Sequence, residues 1–287
     1  MNNTNRARIW LVLSMTVFGT IGIFVRNIPL NSGELALYRA VLALVLLGGF
    51  LLCTKQKLAI KGLGRDLILL LASGMAMGIN WILLFEAYKY TTVSIATLSY
   101  YFAPVIVTVL APVLFREKLT KKQIVCFIMS TLGLVLIIGV GELSGGSNNL
   151  TGILFGLGAA VFYASVILLN KFIKKVSGIQ RTFFQFIASI IVLVPYVLCT
   201  GGIHLNGLST KGWICLLIVG LVHTGVTYCL YFSALKDLSG QESAILSYID
   251  PLVAVIVSVV ILHEQMTLLQ VVGGVLILGF TLWNEAS

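Results

Sequence analysis

Asp250 stands immediately before Pro251 inside the apolar run SAILSYIDPLVAVIVSVVIL, residues 243–262. A charge at the centre of a bilayer-length helix costs at least about 2.5–3.5 kcal/mol, so it calls for a chemical reason. About eight to ten residues into the expected segment 240–262, Asp250 lies about 12–15 Å along it at 1.5 Å per residue, near its middle. The proline removes one backbone hydrogen bond and frees the carbonyl of Ser247, four residues back. A carboxylate beside a broken helix is what a cation or proton site needs. The competing reading is a protonated carboxyl bonded to a neighbouring helix.

Arg39 sits in a second apolar run, LALYRAVLALVLLGGFLL. It could pair with Asp250, with Glu86 or with the carboxylate of a solute, or it could snorkel towards a polar boundary. Glu86 and Lys89 are one helical turn apart and read as a surface pair. His223, near the middle of an apolar run, could titrate or bond a neighbouring helix. Aromatic residues gather at the level of the prolines: Trp81, Tyr100, Tyr101, Tyr228 and Tyr248. Such rings could stack on a planar or cationic solute while the hydroxyls supply hydrogen bonds, or they could simply be packing. Asn80 and Thr227 add polar groups one residue before Trp81 and Tyr228.

These residues need helices that cross a membrane. The 287-residue chain is 59% hydrophobic and only 10% charged, with a mean hydropathy of +1.04. That is far more apolar surface than a water-soluble core hides, and apolar segments of about 20 residues match the hydrocarbon thickness of a bilayer. Ten such segments are expected, near 9–25, 33–53, 66–88, 92–115, 121–141, 150–171, 180–200, 211–235, 240–262 and 267–284. The first follows Arg6 and Arg8 but lacks an A-x-A-like cleavage site, so it reads as a retained helix.

Charge placement sets the expected orientation. Arg6, Arg8, Lys55, Lys57, Lys61, Arg65, Arg116, Lys118, Lys121, Lys122, Lys171, Lys174, Lys175, Arg181 and Lys236 fall on one side. Only Arg26, Lys89 and Lys211 fall on the other. By the positive-inside rule both termini face the cytoplasm, so the +9 charge is a topology device and not a nucleic-acid surface. Cys53, Cys126, Cys199, Cys215 and Cys229 lie in apolar runs without a CxxC pair, which speaks against a disulfide framework or a metal site. No nucleotide loop, nucleophile elbow or zinc-protease motif occurs, so neither an enzyme nor a cofactor is expected.

The chain also repeats itself. ATLSYYFAPVIVTVLAPVLFREKLT aligns without a gap on SAILSYIDPLVAVIVSVVILHEQMT, with Tyr101 over Tyr248, Pro104 over Pro251, Glu117 over Glu264 and Thr120 over Thr267. Residues 78–125 and 225–272 extend the match. Thr120 with Gln123 and Thr267 with Gln270 form capping boxes at two helix starts. The pairs Gly74–Gly78 and Gly152–Gly156 permit close helix approach. Five segments per half is an odd number, so the halves, 1–142 and 143–287, should lie inverted in the membrane, the plan of many secondary transporters. Pro104 and Pro251 are the expected hinges.

This pattern resembles the drug/metabolite transporter superfamily, and within it the EamA branch, over nearly the whole chain. Arg116 and His263 stand where the family pattern has Gly before Glu, and Asp250 stands where Glu is frequent before the second proline. The resemblance implies an all-α integral membrane transporter of the plasma (bacterial inner) membrane, with a cavity between the halves and alternating access. Its expected partners are a small-molecule solute and membrane lipid. The expected cargo is an amino acid, an amine-like metabolite or a drug moved outward, driven by its own gradient or by protons. Asp250, Arg39, Trp81, Asn80, Tyr101, Tyr228, Tyr248 and His223 are the candidate binding residues. The rivals are an importer of a cationic or sugar-like solute and, from a different class, an intramembrane enzyme or sensor.

Overall fold

A computed structural model describes residues 3–55, 63–115, 120–138, 148–176, 178–235, 237–238, 243 and 246–285. Glu117, its neighbours Arg116 and Lys118, Lys236, and the loop residues Lys57, Lys61, Ser144 and Ser177 lie outside them. The described residues form helices joined by short turns and loops, with no strand among them.

The first expected segment is two helices, α1 (Asn3–Gly19) and α2 (Ile21–Val25), broken at Thr20. Then come α3 (Ser32–Cys53) and α4 (Arg65–Tyr90). The fourth segment is again divided, into α5 (Val93–Tyr100) and α6 (Ala103–Phe115). The break falls at Tyr101–Phe102, just ahead of Pro104, where a residue without an N–H fits the first turn of a new helix. α7 (Lys121–Ile138), α8 (Asn148–Phe172) and α9 (Gly178–Cys199) follow. The eighth segment is one helical run of three registers: α10 (Thr210–Leu217), a π-helical stretch (Ile218–Val226) and α11 (Thr227–Ala234). α12 (Ile249–Val260) begins at a turn on Tyr248 and carries Pro251 in its first turn, and α13 (Leu268–Glu285) ends the bundle. Seven of the helical stretches are long and apolar enough to cross a bilayer. α7, α12 and α13 correspond to the three remaining segments. Large apolar side chains such as Val45, Leu52, Ile68, Leu154, Leu198 and Val275 are exposed, which for a bundle in lipid is an ordinary outer surface.

Helix ends follow the expected chemistry. Thr120 N–H donates to Gln123 Oε1 at 2.8 Å while Gln123 N–H donates back to Thr120 Oγ1 at 3.2 Å. Thr267 and Gln270 repeat the exchange at 2.9 and 3.3 Å. Both capping boxes are therefore formed. At the end of the bundle where α1 starts, here the basic end, Asp66 accepts the backbone N–H groups of Lys174 and Lys175, tying α4 to the end of α8.

Packing is by close backbone approach. A Cβ on Gly78 would sit 3.4 Å from Ser189 of α9, and one on Gly152 2.6 Å from Thr91. α7 crosses α13 with Gly133 against the Gly273 carbonyl, a contact that only residues without a side chain permit. α4 packs on α8 and α9; α11 and the π-helical stretch pack on α1 and α3; α5 and α6 pack on α8, and α12 on α1. α5 meets α12 where the Ser94 N–H donates to Ser258 Oγ at 3.3 Å.

Candidate functional site

Asp250 is the natural starting point. The turn at Tyr248 and the proline after it place the carboxyl at the head of α12, opposite the break between α5 and α6. Tyr101, in that break, donates its hydroxyl to Asp250 Oδ2 at 2.5 Å. α1 closes the third side: a Cβ on Gly19 would stand 2.6 Å from the Asp250 carbonyl oxygen and 2.7 Å from Val253 Cβ. The breaks at Tyr101–Phe102 and Tyr248 thus meet at Asp250, with the end of α1 against its backbone.

Tyrosines surround it. Tyr100 stacks on Tyr163 of α8 (centroids 5.0 Å, interplanar 27°) and meets Tyr101 edge-on at 5.6 Å. Tyr228 of α11 contacts Phe18, Phe186 and Phe232 at 5.3, 5.6 and 5.8 Å. Tyr100, Tyr101, Tyr163, Tyr228 and Asp250 are all half-buried at mid-span.

Arg39 occupies the far side of this aromatic cluster. It is 5% exposed, and its Nε donates to Thr224 Oγ1 at 2.7 Å. Thr224 in turn donates to the carbonyl of Val219, five residues back, a reach that the π register creates. The guanidinium lies over Trp81, 4.5 Å from its centroid, and over Phe85 at 5.5 Å. Such cation–π contacts hold a desolvated guanidinium without neutralising it. Among the described residues no carboxylate forms an ion pair with Arg39, so neither Asp250 nor Glu86 is its partner. Tyr88 and Tyr228 lie within electrostatic reach of both Arg39 and Asp250. The centre therefore holds a guanidinium and a carboxyl group that are not paired with each other, both near the same tyrosines.

The other expected residues divide. Trp81 and Tyr228, equivalent in the two halves, meet through Phe186, which contacts both. Asn80 donates to the Ala159 carbonyl of α8 at 2.6 Å and is 2% exposed, an interhelical bond. His223 is likewise a tether: Nε2 lies 3.0 Å from Thr20 Oγ1, Nδ1 lies 3.3 Å from the Ile218 carbonyl, and Phe24 packs edge-on at 4.9 Å. Tyr248 lines an apolar groove of about 330 Å³ between α12 and α13, with Leu98, Leu252 and Gly274 among its walls. Gln185, one residue short of the 147-residue repeat offset from Arg39 and so its approximate counterpart, belongs to a polar knot with Ser73 and Asn170 (2.6 and 2.8 Å) that joins α4, α8 and α9. Glu86 and Lys89 pair at 3.1 Å as expected, and Ser32 also donates to Glu86, at 2.5 Å.

Sequence reasoning missed Phe18, Gly19, Thr20, Tyr163 and Thr224. A signal for two of them exists in the sequence: TVF at residues 16–18 recurs as AVF at residues 160–162, directly before Tyr163. The π register left no readable mark. Also unforeseen was the tie at Glu264, which reaches Arg26 at 2.6 Å, accepts the Val93 N–H at 2.9 Å and accepts the Ser258 hydroxyl. No group of His, Cys, Asp or Glu suited to a metal ion occurs among the described residues.

A family model described as the EamA-like transporter family matches the chain twice, over residues 5–139 and 150–284. The chain belongs to the EamA-like transporter family. This transporter is 36% identical over 279 residues to the uncharacterized transporter YxxF of Bacillus subtilis (strain 168), covering 94% of this chain and 86% of that one. It is 30% identical over 279 residues to an uncharacterized transporter of Archaeoglobus fulgidus, covering 96% and 95%. Protein PecM of Dickeya dadantii (strain 3937) is 26% identical over 214 residues, covering 73% and 70%. A solved structure, titled only as the crystal structure of a protein, superposes with a TM-score of 0.67 at 14% identity over 98% of this chain and 97% of that chain; it shows the fold alone. The transporter is thus an all-helical, multi-pass membrane protein whose family handles small molecules.

Proposed function

We propose that the transporter moves a small zwitterionic metabolite, an amino acid or amine-like compound, or a related drug, by alternating access through the cleft between Arg39 and Asp250. The observation that supports this reading is that Arg39 and Asp250, not paired with each other, border one aromatic cluster: Arg39 lies over Trp81, which meets Tyr228 through Phe186, and Asp250 is bonded to Tyr101. Each charge is costly to keep in a membrane interior, and a solute with a carboxylate at one end and an ammonium at the other would offset both. Trp81, Tyr101 and Tyr228 would form the walls. Asp250 would bind the ammonium or a coupling proton, and Arg39 the carboxylate.

The same proposal includes ten spans in two inverted halves, 1–142 and 143–287, with both termini cytoplasmic and the direction of net movement outward. Two observations support the halves. The family model matches each separately. The packing pairs recur when the halves are exchanged: α4 on α8 answers α11 on α1, α4 on α9 answers the π-helical stretch on α3, and α5 on α8 answers α12 on α1.

Counterflow in proteoliposomes against labelled amino acids, amines, sugars and organic acids tests the reading. Exchange of zwitterions, weakened when either charged end is blocked, is expected. If sugars exchange and zwitterions do not, the assignment of the cleft fails. Vesicles of defined sidedness report the direction.

A further inference from the structure

A cavity lies apart from the site proposed between Arg39 and Asp250 and from the groove at Tyr248. It opens at the end of the bundle opposite the basic end, between α2, α3 and α4, and measures about 480 Å³. That is the size of a small-molecule site. Its apolar wall includes Val25, Ile28, Leu35 and Phe85, and its polar side chains are Arg26, Ser32, Tyr88 and Lys89.

Each of its cations has a carboxylate partner, but the carboxylates stand behind. Arg26 pairs with Glu264 at 2.6 Å, and the side chains are 35% and 7% exposed. Lys89 pairs with Glu86 at 3.1 Å, with side chains 43% and 25% exposed. The cavity wall includes both cations and neither carboxylate. Ser32 turns its hydroxyl to Glu86, and Tyr88 lies 3.5 Å from the hydroxyl of Thr97. The groups left to greet a ligand are positive. At the inner end Phe85, which the Arg39 guanidinium overlies at 5.5 Å, separates this cavity from the centre.

We propose that this cavity is a binding site for a small organic anion, a carboxylate with an apolar body, in which Arg26 and Lys89 hold the charge. Such a ligand competes with Glu264 for Arg26. Glu264 is also bonded to the Val93 N–H and to the Ser258 hydroxyl, and Arg26 also donates to the Thr91 carbonyl at 3.0 Å. An anion that takes the guanidinium therefore loosens the link between α2, the start of α5 and the end of α12. The site acts on the closing contact of that end whichever solute crosses the centre.

The test uses a thiol at the mouth. Pro29 lines the cavity and is exposed, so Pro29→Cys is made in a chain whose five cysteines are replaced, and the protein is held in nanodiscs. Modification rates are compared for 2-sulfonatoethyl and 2-(trimethylammonium)ethyl methanethiosulfonate, each relative to its rate with a free thiol. The anionic reagent should react about tenfold faster, as local focusing of counter-ions predicts, and Lys89→Gln or Arg26→Gln should reduce that preference. Equal rates, a preference for the cationic reagent, or a preference indifferent to both substitutions overturns the proposal. A second measurement avoids the engineered thiol. Benzoate, and not benzylammonium at equal ionic strength, should raise the Tm of the unmodified protein and of Arg39→Lys, but not that of Lys89→Gln. A benzoate effect lost in Arg39→Lys and kept in Lys89→Gln would assign the anion to the central cleft and sink this site while leaving the transport reading intact.

Discussion

Tyr101 and Asp250 are joined by a 2.5 Å hydrogen bond between two helices that break at equivalent places. The donor lies in the gap between α5 and α6, and the acceptor lies at the head of α12. The contact therefore ties together two helix breaks that occupy equivalent places in the two halves.

Removing the carboxylate while keeping its shape separates coupling from packing. Asp250→Asn should flatten the pH dependence of solute exchange in proteoliposomes, because an amide cannot take or give the proton. Tyr101→Phe should retain a pH dependence, since the titrating group remains. An Asp250→Asn transporter with unchanged pH profile and affinity would reduce Asp250 to a packing residue.

Arg39→Lys keeps the charge and loses the geometry. A lysine cannot bond Thr224 through Nε while its head lies flat over Trp81, because a planar guanidinium does both and an ammonium does not. Affinity for a carboxylate-bearing solute should fall by about tenfold or more, equivalent to about 1.4 kcal/mol. Affinity for the corresponding amine without a carboxylate should change little. Equal losses for both solutes would mark Arg39 as a structural residue.

Gly19→Ala should separate α1 from α12. The added Cβ meets the Asp250 carbonyl at 2.6 Å, a backbone atom that cannot step aside alone. Overpacking of this kind typically costs about 1–3 kcal/mol and should appear as a lower Tm in detergent. Gly49→Ala is the control: nothing lies within 4 Å of its Cβ, and in a helix the change should leave Tm equal or raise it.

The Arg26–Glu264 tie lends itself to a double-mutant cycle. Arg26→Gln, Glu264→Gln and the pair should show a coupling on the order of 1 kcal/mol in thermal unfolding, since the guanidinium is part-exposed while the carboxylate is buried. Strict additivity would mean that Glu264 works only through Val93 and Ser258.

Orientation is checked with thiols. A cysteine at Ser144 should react with an impermeant reagent from outside the cell, and one at Ser177 only from inside. The opposite result would invert the proposed topology.

What the sequence made legible follows from what local rules can carry. Capping boxes, glycine contacts and the Glu86–Lys89 pair rest on spacings of three or four residues along one helix, and all three are formed. The breaks near Pro104 and Pro251 were readable because proline acts on its own backbone. The partner of Asp250 was not readable: Tyr101 stood among several tyrosines at the same level, and only the packing of α5 against α12 chooses between them. Tyr248 shows the same limit. Its place in the alignment is that of Tyr101, yet it lines an apolar groove, because two residues along α12 separate it from Asp250 by more than half a turn. Gly19 and Thr20 gave no signal, since a helix break without proline looks like any other glycine–threonine pair.

The two central charges are single-copy features of a doubled chain. Asp250 aligns with Ala103, and Arg39 at the same 147-residue offset meets Phe186, with its approximate counterpart Gln185 one residue earlier. Had the two halves been separate identical chains assembling about a two-fold axis, any acidic residue would arrive twice, and its twin would confront it across the same space. One continuous polypeptide escapes that constraint. In the proposed reading it holds one acidic and one basic pole about a single site and so distinguishes the head of a solute from its tail. Fusion of the halves thereby supplies what symmetric assembly forbids, an interior with a direction.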